Sequence, residues 1–289
     1  MTVLTRERAP AKINLCLYLG PTRDDGRHEL VTLFDSISLF DDLEVASAGQ
    51  DEVVCDGVDG PNLVSDALGA LRGAGWAAPP LRVTITKRIP VAAGMGGGSA
   101  DAAALLRLAP RLGHTDGASR LRIAGRLGAD VPSQLVPGPW LGVGAGHRLL
   151  PAPQLPPYSV VVVPQPFPLS TADVYREADR LDLSRSPVEL DVVRHQLTLG
   201  FPAELIVNDL EPAALSLAPR LGETLGAIQR AGADDAMICG SGPTAIGLFW
   251  GADGAGRARA AASALREEHP AVLAADPVRR GDGALAANE

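Results

Sequence analysis

The chain has 289 residues, 46% apolar and 21% charged, the composition of an ordinary folded protein, which excludes a disordered or fibrous one. Its formal charge of -8 and pI near 5.2 argue against bulk nucleic-acid binding, but leave room for a local basic pocket that holds a phosphorylated ligand. No run approaches the roughly 18 to 20 apolar residues that span a bilayer, and "MTVLTRERAP" lacks the apolar core of a signal peptide, so a cytoplasmic protein without nucleic-acid or membrane partners is expected.

The length exceeds what one hydrophobic core usually fills. Two domains are expected, 1–150 and 151–289, joined at the proline-rich "PAPQLPP" of 151–157. In chain order, apolar-rich segments at 11–19 ("AKINLCLYL") and 30–45 ("LVTLFDSISLFDDLEV") flank the turn signal "DDG" at 24–26, which predicts antiparallel strands. A helical tendency at 62–75 follows, and then Leu81, Val83 and Ile85 alternate with Arg82, Thr84 and Thr86 as in a half-buried strand.

Helices are predicted at 99–112, with Ala102, Leu105, Leu106, Ala109 and Leu112 on one face, and at 116–127. Beyond the linker, "YSVVVV" reads as a buried strand, followed by helices near 171–182, 189–199 and 204–231. Strands at 235–239 and 244–249 flank "GSGP", and a helix at 254–268 and a terminal strand near 273–280 complete an α+β pattern.

Cys16, Cys55 and Cys239 are odd in number and lack paired spacing, so they read as buried apolar side chains rather than disulfide or zinc ligands. Of the 26 basic residues only Lys12 and Lys87 are lysines. Where arginine is otherwise used throughout, these two mark positions that need a compact ammonium, or else they fall there by chance.

Between the predicted strand and helix, Gly94, Gly96, Gly97 and Gly98 run into Ser99. Glycine lets backbone amides approach a phosphate closely, and a helix that starts at once adds its dipole and its unpaired N–H groups. The P-loop pattern fails because neither lysine follows the glycines, and the dinucleotide pattern fails because Ser99 stands where glycine or alanine is wanted. A flexible turn before a core helix accounts for one or two glycines, not for four in five positions.

"PVAAGMGGGSADAAALL" at 90–106 resembles the glycine-rich motif of the GHMP kinases, whose loop wraps ATP. "APAKINLCLYLGPTRDDGRHELVTLF" at 9–34, "LGADVPSQL" at 127–135, "NDLEP" at 208–212 and "CGSGPTAIGLF" at 239–249 are similar to the branch of that family that acts on a cytidine diphosphate-linked methylerythritol. The resemblance covers nearly the whole chain in order. It implies a two-domain α+β GHMP fold, with the ATP loop in the N-terminal domain, a smaller C-terminal α/β sandwich, and the active site in the cleft between them.

The resemblance further implies ATP-dependent phosphorylation of the 2-hydroxyl of 4-diphosphocytidyl-2-C-methyl-D-erythritol, in the non-mevalonate route to isoprenoid precursors. ATP is the implied co-substrate, with magnesium whose ligands cannot be named, and the implied state is monomer or homodimer. Pro90, Val91, Ala92, Ala93, Gly94, Met95, Gly96, Gly97, Gly98, Ser99 and Ala100 would form the ATP loop. Asp101 in the first helical turn is either a helix-start charge or a metal or ligand contact.

Lys12 and Asp130 are the implied catalytic pair. The carboxylate would orient the substrate hydroxyl and take its proton late in transfer, and the ammonium would stabilise the developing charge. Read without the resemblance, Asp130 before Val-Pro is a turn residue. Asn14, His28, Lys87, Thr171 and Tyr175 are implied around the cytidine diphosphate part, with His28 on the cytosine edge and Tyr175 stacked on the base. Gly240, Ser241 and Gly242 are implied beside the site, although alone they read as a hairpin turn.

Three positions depart from the family pattern. Arg27 stands where many members have tyrosine, and its guanidinium plane can also stack on a base. Met95 and Ala100 replace the commoner leucine and serine, and the second change removes a possible hydroxyl contact. The rival readings are a GHMP kinase for another small alcohol, such as homoserine or a mevalonate derivative, and a non-catalytic binding protein of the same fold.

Overall fold

The computed structural model describes residues 2–58 and 60–278. Strands β1 (Val3–Thr22) and β2 (His28–Ser47) form a long antiparallel hairpin, in which Lys12 faces Ser36 and Asn14 faces Phe34. Strand β1 runs well beyond the apolar segment seen in the sequence, and β2 exceeds its own by two residues at each end, because their polar ends also find partners in the sheet. Strand β3 (Glu52–Cys55) pairs parallel with β4 (Leu81–Thr86), and helix α1 (Leu63–Gly73) connects them. Asn62 starts α1 by accepting a hydrogen bond from the Val64 amide.

Helices α2 (Gly97–Leu112), α3 (Gly117–Leu127) and α4 (Val131–Gln134) follow. Strands β5 (Trp140–Gly144) and β6 (Arg148–Pro151) then complete a six-stranded sheet in the order β3-β4-β2-β5-β6, with β1 on β2. The sequence pattern predicted one apolar face for α2. Ala100, Ala102, Ala103, Ala104, Leu105, Leu106, Leu108 and Ala109 are all buried instead, because the helix is packed by β1, α1 and α4 on different sides. Its alanines permit that close approach, and Asp101 is buried with them at 3% exposure.

The second sheet starts at β7 (Tyr158–Val163), whose six residues are all buried. Full burial of each valine is worth roughly 1.5 to 3 kcal/mol. Helices α5 (Thr171–Arg180), α6 (Pro187–Leu199), α7 (Glu211–Leu217) and α8 (Leu221–Arg230) lead to strands β8 (Asp235–Ile238) and β9 (Ala245–Trp250), then α9 (Gly254–Leu265) and β10 (Leu273–Ala275). The sheet order is β10-β7-β9-β8, antiparallel throughout.

The single helix expected over 204–231 is broken into a short 3-10 turn (Ala203–Leu205), α7 and α8. Ala218 precedes Pro219 and adopts φ -139°, as the proline ring disfavours helical backbone at the preceding residue. Asn208 is held in an extended bridge to Leu17 of β1 rather than in a helix. The terminal strand expected near 273–280 ends at Ala275, and positions 279–280 lie outside the described residues.

The sheets divide between β6 and β7, yet one hydrophobic cluster joins Ile13 and Leu15 of β1 to Val160 and Val162 of β7 and to Met237 of β8. Backbone hydrogen bonds also tie Leu17 to Val207 (2.7 Å) and to Asp209 (2.9 Å). The two halves therefore meet along β1, the strand that carries Lys12 and Asn14.

Candidate active site

The glycine run forms a loop that is stitched to β1: the Lys12 amide donates to the Met95 carbonyl at 3.0 Å. Met95 is buried beneath it at 1% exposure, so the residue that departs from the family pattern serves as an apolar anchor. Gly96 starts α2 in the left-handed region at φ +66° with no side-chain cap, which leaves the first amides of the helix free for an anion. Gly94, at φ +76°, lies so close to the second glycine turn that a Cβ there would sit 2.7 Å from the Gly242 carbonyl oxygen.

Two cavities open on either side of this loop. One, of about 350 Å3, is lined by Pro90 through Ser99, by Lys87 and Asp101, and on its far wall by Cys55, Val58, Pro61, Asn62 and Leu63. The other, of about 800 Å3, is lined by Lys12, Asn14, Arg27, His28, Asp130, Thr171, Tyr175, Arg176, Asp179, Gly240 and Ser241, among others. Gly94, Gly96 and Ser99 belong to both linings. A ligand in the small cavity and another in the large one therefore meet over the start of α2.

Lys12 and Asp130 stand at that meeting point. The Lys12 ammonium lies 3.7 Å from the Asp130 carboxylate and donates to Asn14 Oδ1 at 2.9 Å. Asn14 in turn donates to Thr32 Oγ1 at 2.8 Å, and Thr32 donates to the Cys16 carbonyl at 2.7 Å. Asp130 sits just before α4, where the Ser133 hydroxyl donates to its backbone carbonyl at 2.7 Å. This chain of partners fixes a cation beside a carboxylate, with open space on one side of both.

The wall of the large cavity is built by α5. Thr171, Tyr175 and Asp179 recur every four residues and so share one helix face. His28 is buried, with Nδ1 donating to the Gly20 carbonyl at 2.9 Å, Nε2 3.2 Å from the Asp179 carboxylate, and its ring 5.3 Å from that of Tyr175. Burial, and secondly the charge of Asp130, push the Tyr175 phenol up to about 12, so it stays neutral. Thr171 and Ser241 share a hydroxyl–hydroxyl bond of 2.9 Å, which joins α5 to the second glycine turn. Arg27 lies at the cavity's edge and pairs with Asp25 at 3.0 Å.

Of the acceptor-side residues expected from the sequence, Asn14, His28, Thr171, Tyr175, Gly240 and Ser241 line the large cavity together. Lys87 does not join them. It lines the small cavity, where its ammonium is held between Asp41 and Asp101, the latter at 2.8 Å. Gly242 packs on Gly94 instead of lining either cavity, and Ala100 is fully buried below the loop.

The Asp41 and Asp101 partnership went unseen in the sequence because they come from β2 and α2, 60 positions apart in chain number. Asp41 is fully buried and also accepts from the Arg88 and Ile89 amides at 2.5 and 2.8 Å. Burial, then the charge of Asp41, push the Asp101 carboxyl up to about 7 against the pull of Lys87. Burial opposes the charge on Lys87, but Asp101 and Asp41 outweigh it and hold the ammonium above its usual value. Asp179 was also missed, although its four-residue spacing from Tyr175 could have marked it.

Residues 62–138 match the GHMP kinases N terminal domain, and 198–271 match the GHMP kinases C terminal model. The 4-diphosphocytidyl-2-C-methyl-D-erythritol kinase of Rhodococcus jostii (strain RHA1) is 41% identical over 269 residues, which cover 88% of this chain and 86% of that protein. The chain belongs to the 4-diphosphocytidyl-2-C-methyl-D-erythritol kinases, within the GHMP kinases. The kinase of the same name from Nocardioides sp. (strain ATCC BAA-499 / JS614) is 39% identical over 93% of this chain and 96% of its own.

A crystal structure of a 4-(cytidine 5'-diphospho)-2C-methyl-D-erythritol kinase superposes with a TM-score of 0.76 at 35% identity, covering 95% of this chain and 99% of that one. A homoserine kinase from Cytophaga hutchinsonii shares the fold at a TM-score of 0.69 and 18% identity, covering 97% and 98%. The α+β GHMP architecture expected from the sequence is thus the one observed. As a GHMP kinase the chain uses ATP as co-substrate, and among the described residues no helix is long and apolar enough to cross a membrane.

Proposed function

We propose that the chain transfers the γ-phosphoryl group of ATP to the 2-hydroxyl of 4-diphosphocytidyl-2-C-methyl-D-erythritol, in the non-mevalonate route to isoprenoid precursors. The observation that carries this reading is the Lys12–Asp130 pair, 3.7 Å apart where the two cavities meet. Phosphoryl transfer asks little covalent chemistry of the protein and much positioning and charge stabilisation. Asp130 orients the acceptor hydroxyl and takes its proton as the oxygen–phosphorus bond forms. Lys12 stabilises the charge on the transferring phosphoryl oxygens.

ATP occupies the small cavity, with its phosphates over the free amides of Gly97, Gly98 and Ser99 at the start of α2. Lys87 belongs to this side: its position 3.1 Å from where a Gly97 Cβ would stand supports a role in holding the loop. Among the described residues no group of three or more His, Cys, Asp or Glu is suited to a resident metal. Among the residues that line the small cavity, Ser99 has a hydroxyl and Asp101 a buried Oδ1 without a hydrogen-bond partner. They fit a magnesium ion that ATP's phosphates carry in, and such an ion would neutralise the phosphate charge.

The cytidine diphosphate part fills the large cavity, with the base against Tyr175 and the His28–Asp179 pair. Both ring nitrogens of His28 already have partners, so cytosine reaches Nε2 by sharing or displacing Asp179. The N-terminal half, 1–150, supplies the ATP loop and the reacting pair, and the C-terminal half, 151–289, supplies the α5 wall and the second glycine turn. A coupled ADP-release assay with the cytidyl substrate, homoserine and mevalonate tests the reading. Turnover with the cytidyl substrate is expected, and turnover with either of the others instead of it would overturn the assignment.

A further inference from the structure

We propose that Asn208, in the "NDLEP" segment, is a positioning residue for phosphoryl transfer: its amide holds the second glycine turn in register with the Lys12 strand. The proposal rests on the kinase reading above. Asn208 is buried at 7% exposure and lines neither cavity. Its Nδ2 donates to the Ile238 carbonyl at 2.7 Å and to the Gly240 carbonyl at 2.8 Å, while Oδ1 accepts from the Leu210 amide at 3.0 Å. Both N–H groups and the carbonyl of this side chain are in use.

The backbone on either side of Asn208 is clamped to β1. Leu17 donates to Val207 at 2.7 Å and accepts from Asp209 at 2.9 Å. One residue therefore connects β1 to the turn at 239–243 with no intervening side chain. From that turn three contacts reach the reacting groups. Gly240, at φ +57°, lies against Asn14, where a Cβ would stand 3.1 Å from the Oδ1 that receives the Lys12 ammonium. Ser241 bonds to Thr171, and the Gly242 carbonyl packs on Gly94 of the ATP loop. A shift of the turn would move the acceptor wall relative to Lys12 and Asp130, and a displacement of about 1 Å can cost on the order of 100-fold in rate.

The competing role is local: through Oδ1, Asn208 caps the turn into α7, and an aspartate caps as well as an asparagine does. Asn208→Asp keeps that cap and sets a carboxylate against two carbonyl oxygens. Asn208→Ser keeps an acceptor and removes the two donors without adding charge. Both variants are assayed well below their melting temperatures, with the alcohol that the wild-type protein phosphorylates fastest, and ADP affinity is measured separately by calorimetry.

The expected result is a kcat lower by about 10- to 100-fold and a raised KM for the alcohol in both variants. ADP affinity should stay within about threefold, because the Lys12–Met95 backbone bond holds the ATP loop independently of Asn208. Wild-type kinetics with only a lowered melting temperature would reduce Asn208 to a cap and overturn the proposal. Failure of both variants to fold, or loss of ADP affinity in parallel with kcat, would make it a folding determinant and overturn it too. A wild-type protein inactive on every alcohol overturns the kinase reading itself, and the proposal with it.

Discussion

The Lys12 ammonium and the Asp130 carboxylate approach to 3.7 Å, but they are unequally placed, with side-chain exposures of 11% and 41%. Lys12 is locked from behind by Asn14, whereas Asp130 faces the large cavity with room for a hydroxyl. A buried cation fixed by neutral partners beside an open carboxylate suits a step in which a proton arrives on one side and negative charge develops on the other. Asp130→Asn keeps the shape and removes the proton acceptor. It is expected to lower kcat by about 10²- to 10⁴-fold, or about 3 to 5 kcal/mol, with ADP affinity nearly unchanged. Near-wild-type turnover would remove Asp130 from the reaction.

Lys87 joins two buried carboxylates, so its loss is a matter of stability before it is one of binding. Lys87→Met leaves Asp41 and Asp101 facing each other without a cation, which is expected to cost about 3 to 5 kcal/mol. Thermal unfolding reads the loss, and steady-state kinetics locate it: KM for ATP should rise while KM for the alcohol changes little. The opposite split would return Lys87 to the acceptor side.

The same cluster makes stability depend on pH. Asp101 titrates near 7 in the folded chain, against about 3.9 for a free aspartate. Because the folded state holds this proton more tightly, the stabilisation is present at low pH and is lost as pH rises through about 7. Between pH 6 and pH 8 the loss is about 1 kcal/mol, or roughly 2 to 4 °C in melting temperature. Asp101→Asn, which cannot ionise, should flatten the profile over that interval; an unchanged slope would assign the dependence to another group.

Gly94 is the point where the two glycine turns touch. Gly94→Ala places a Cβ 2.7 Å from the Gly242 carbonyl in a backbone conformation at φ +76° that costs an alanine roughly 1 to 2 kcal/mol. Loop and turn must separate, so kcat/KM should fall at least about tenfold for both substrates. Gly98→Ala, whose Cβ would meet only Leu63 Cδ1 at 3.7 Å, provides the comparison and should be far milder. Equal effects would show that the contact between the turns is not what matters.

Much of the architecture was legible before folding was considered. Period-2 alternation at 81–86 and the continuous apolar run at 158–163 became β4 and β7, and Gly96 to Ser99 became a helix start. Local rules suffice there because each element's partners only reinforce its own preference. They failed at 204–231, where prolines and the pull of β1 on Asn208 break a helical pattern into pieces. They failed also on α2, whose alanines are buried on every side, since periodicity reports one partner and this helix has several.

By itself the amino-acid sequence determined the family and the glycine loop, and it drew Lys12 and Asp130 together as the proposed reacting pair, because these lie in short motifs whose chemistry is local. It also singled out Lys87 by its rarity and grouped it with residues that line the large cavity, whereas Lys87 lines the small one. Only the tertiary structure decided that Lys87 bridges Asp41 and Asp101 beside the ATP loop, and that His28 leans on Asp179. Those partnerships join a strand to a helix across the core, and a buried charge takes whichever opposite charge the packing brings within reach, a choice that no local spacing encodes.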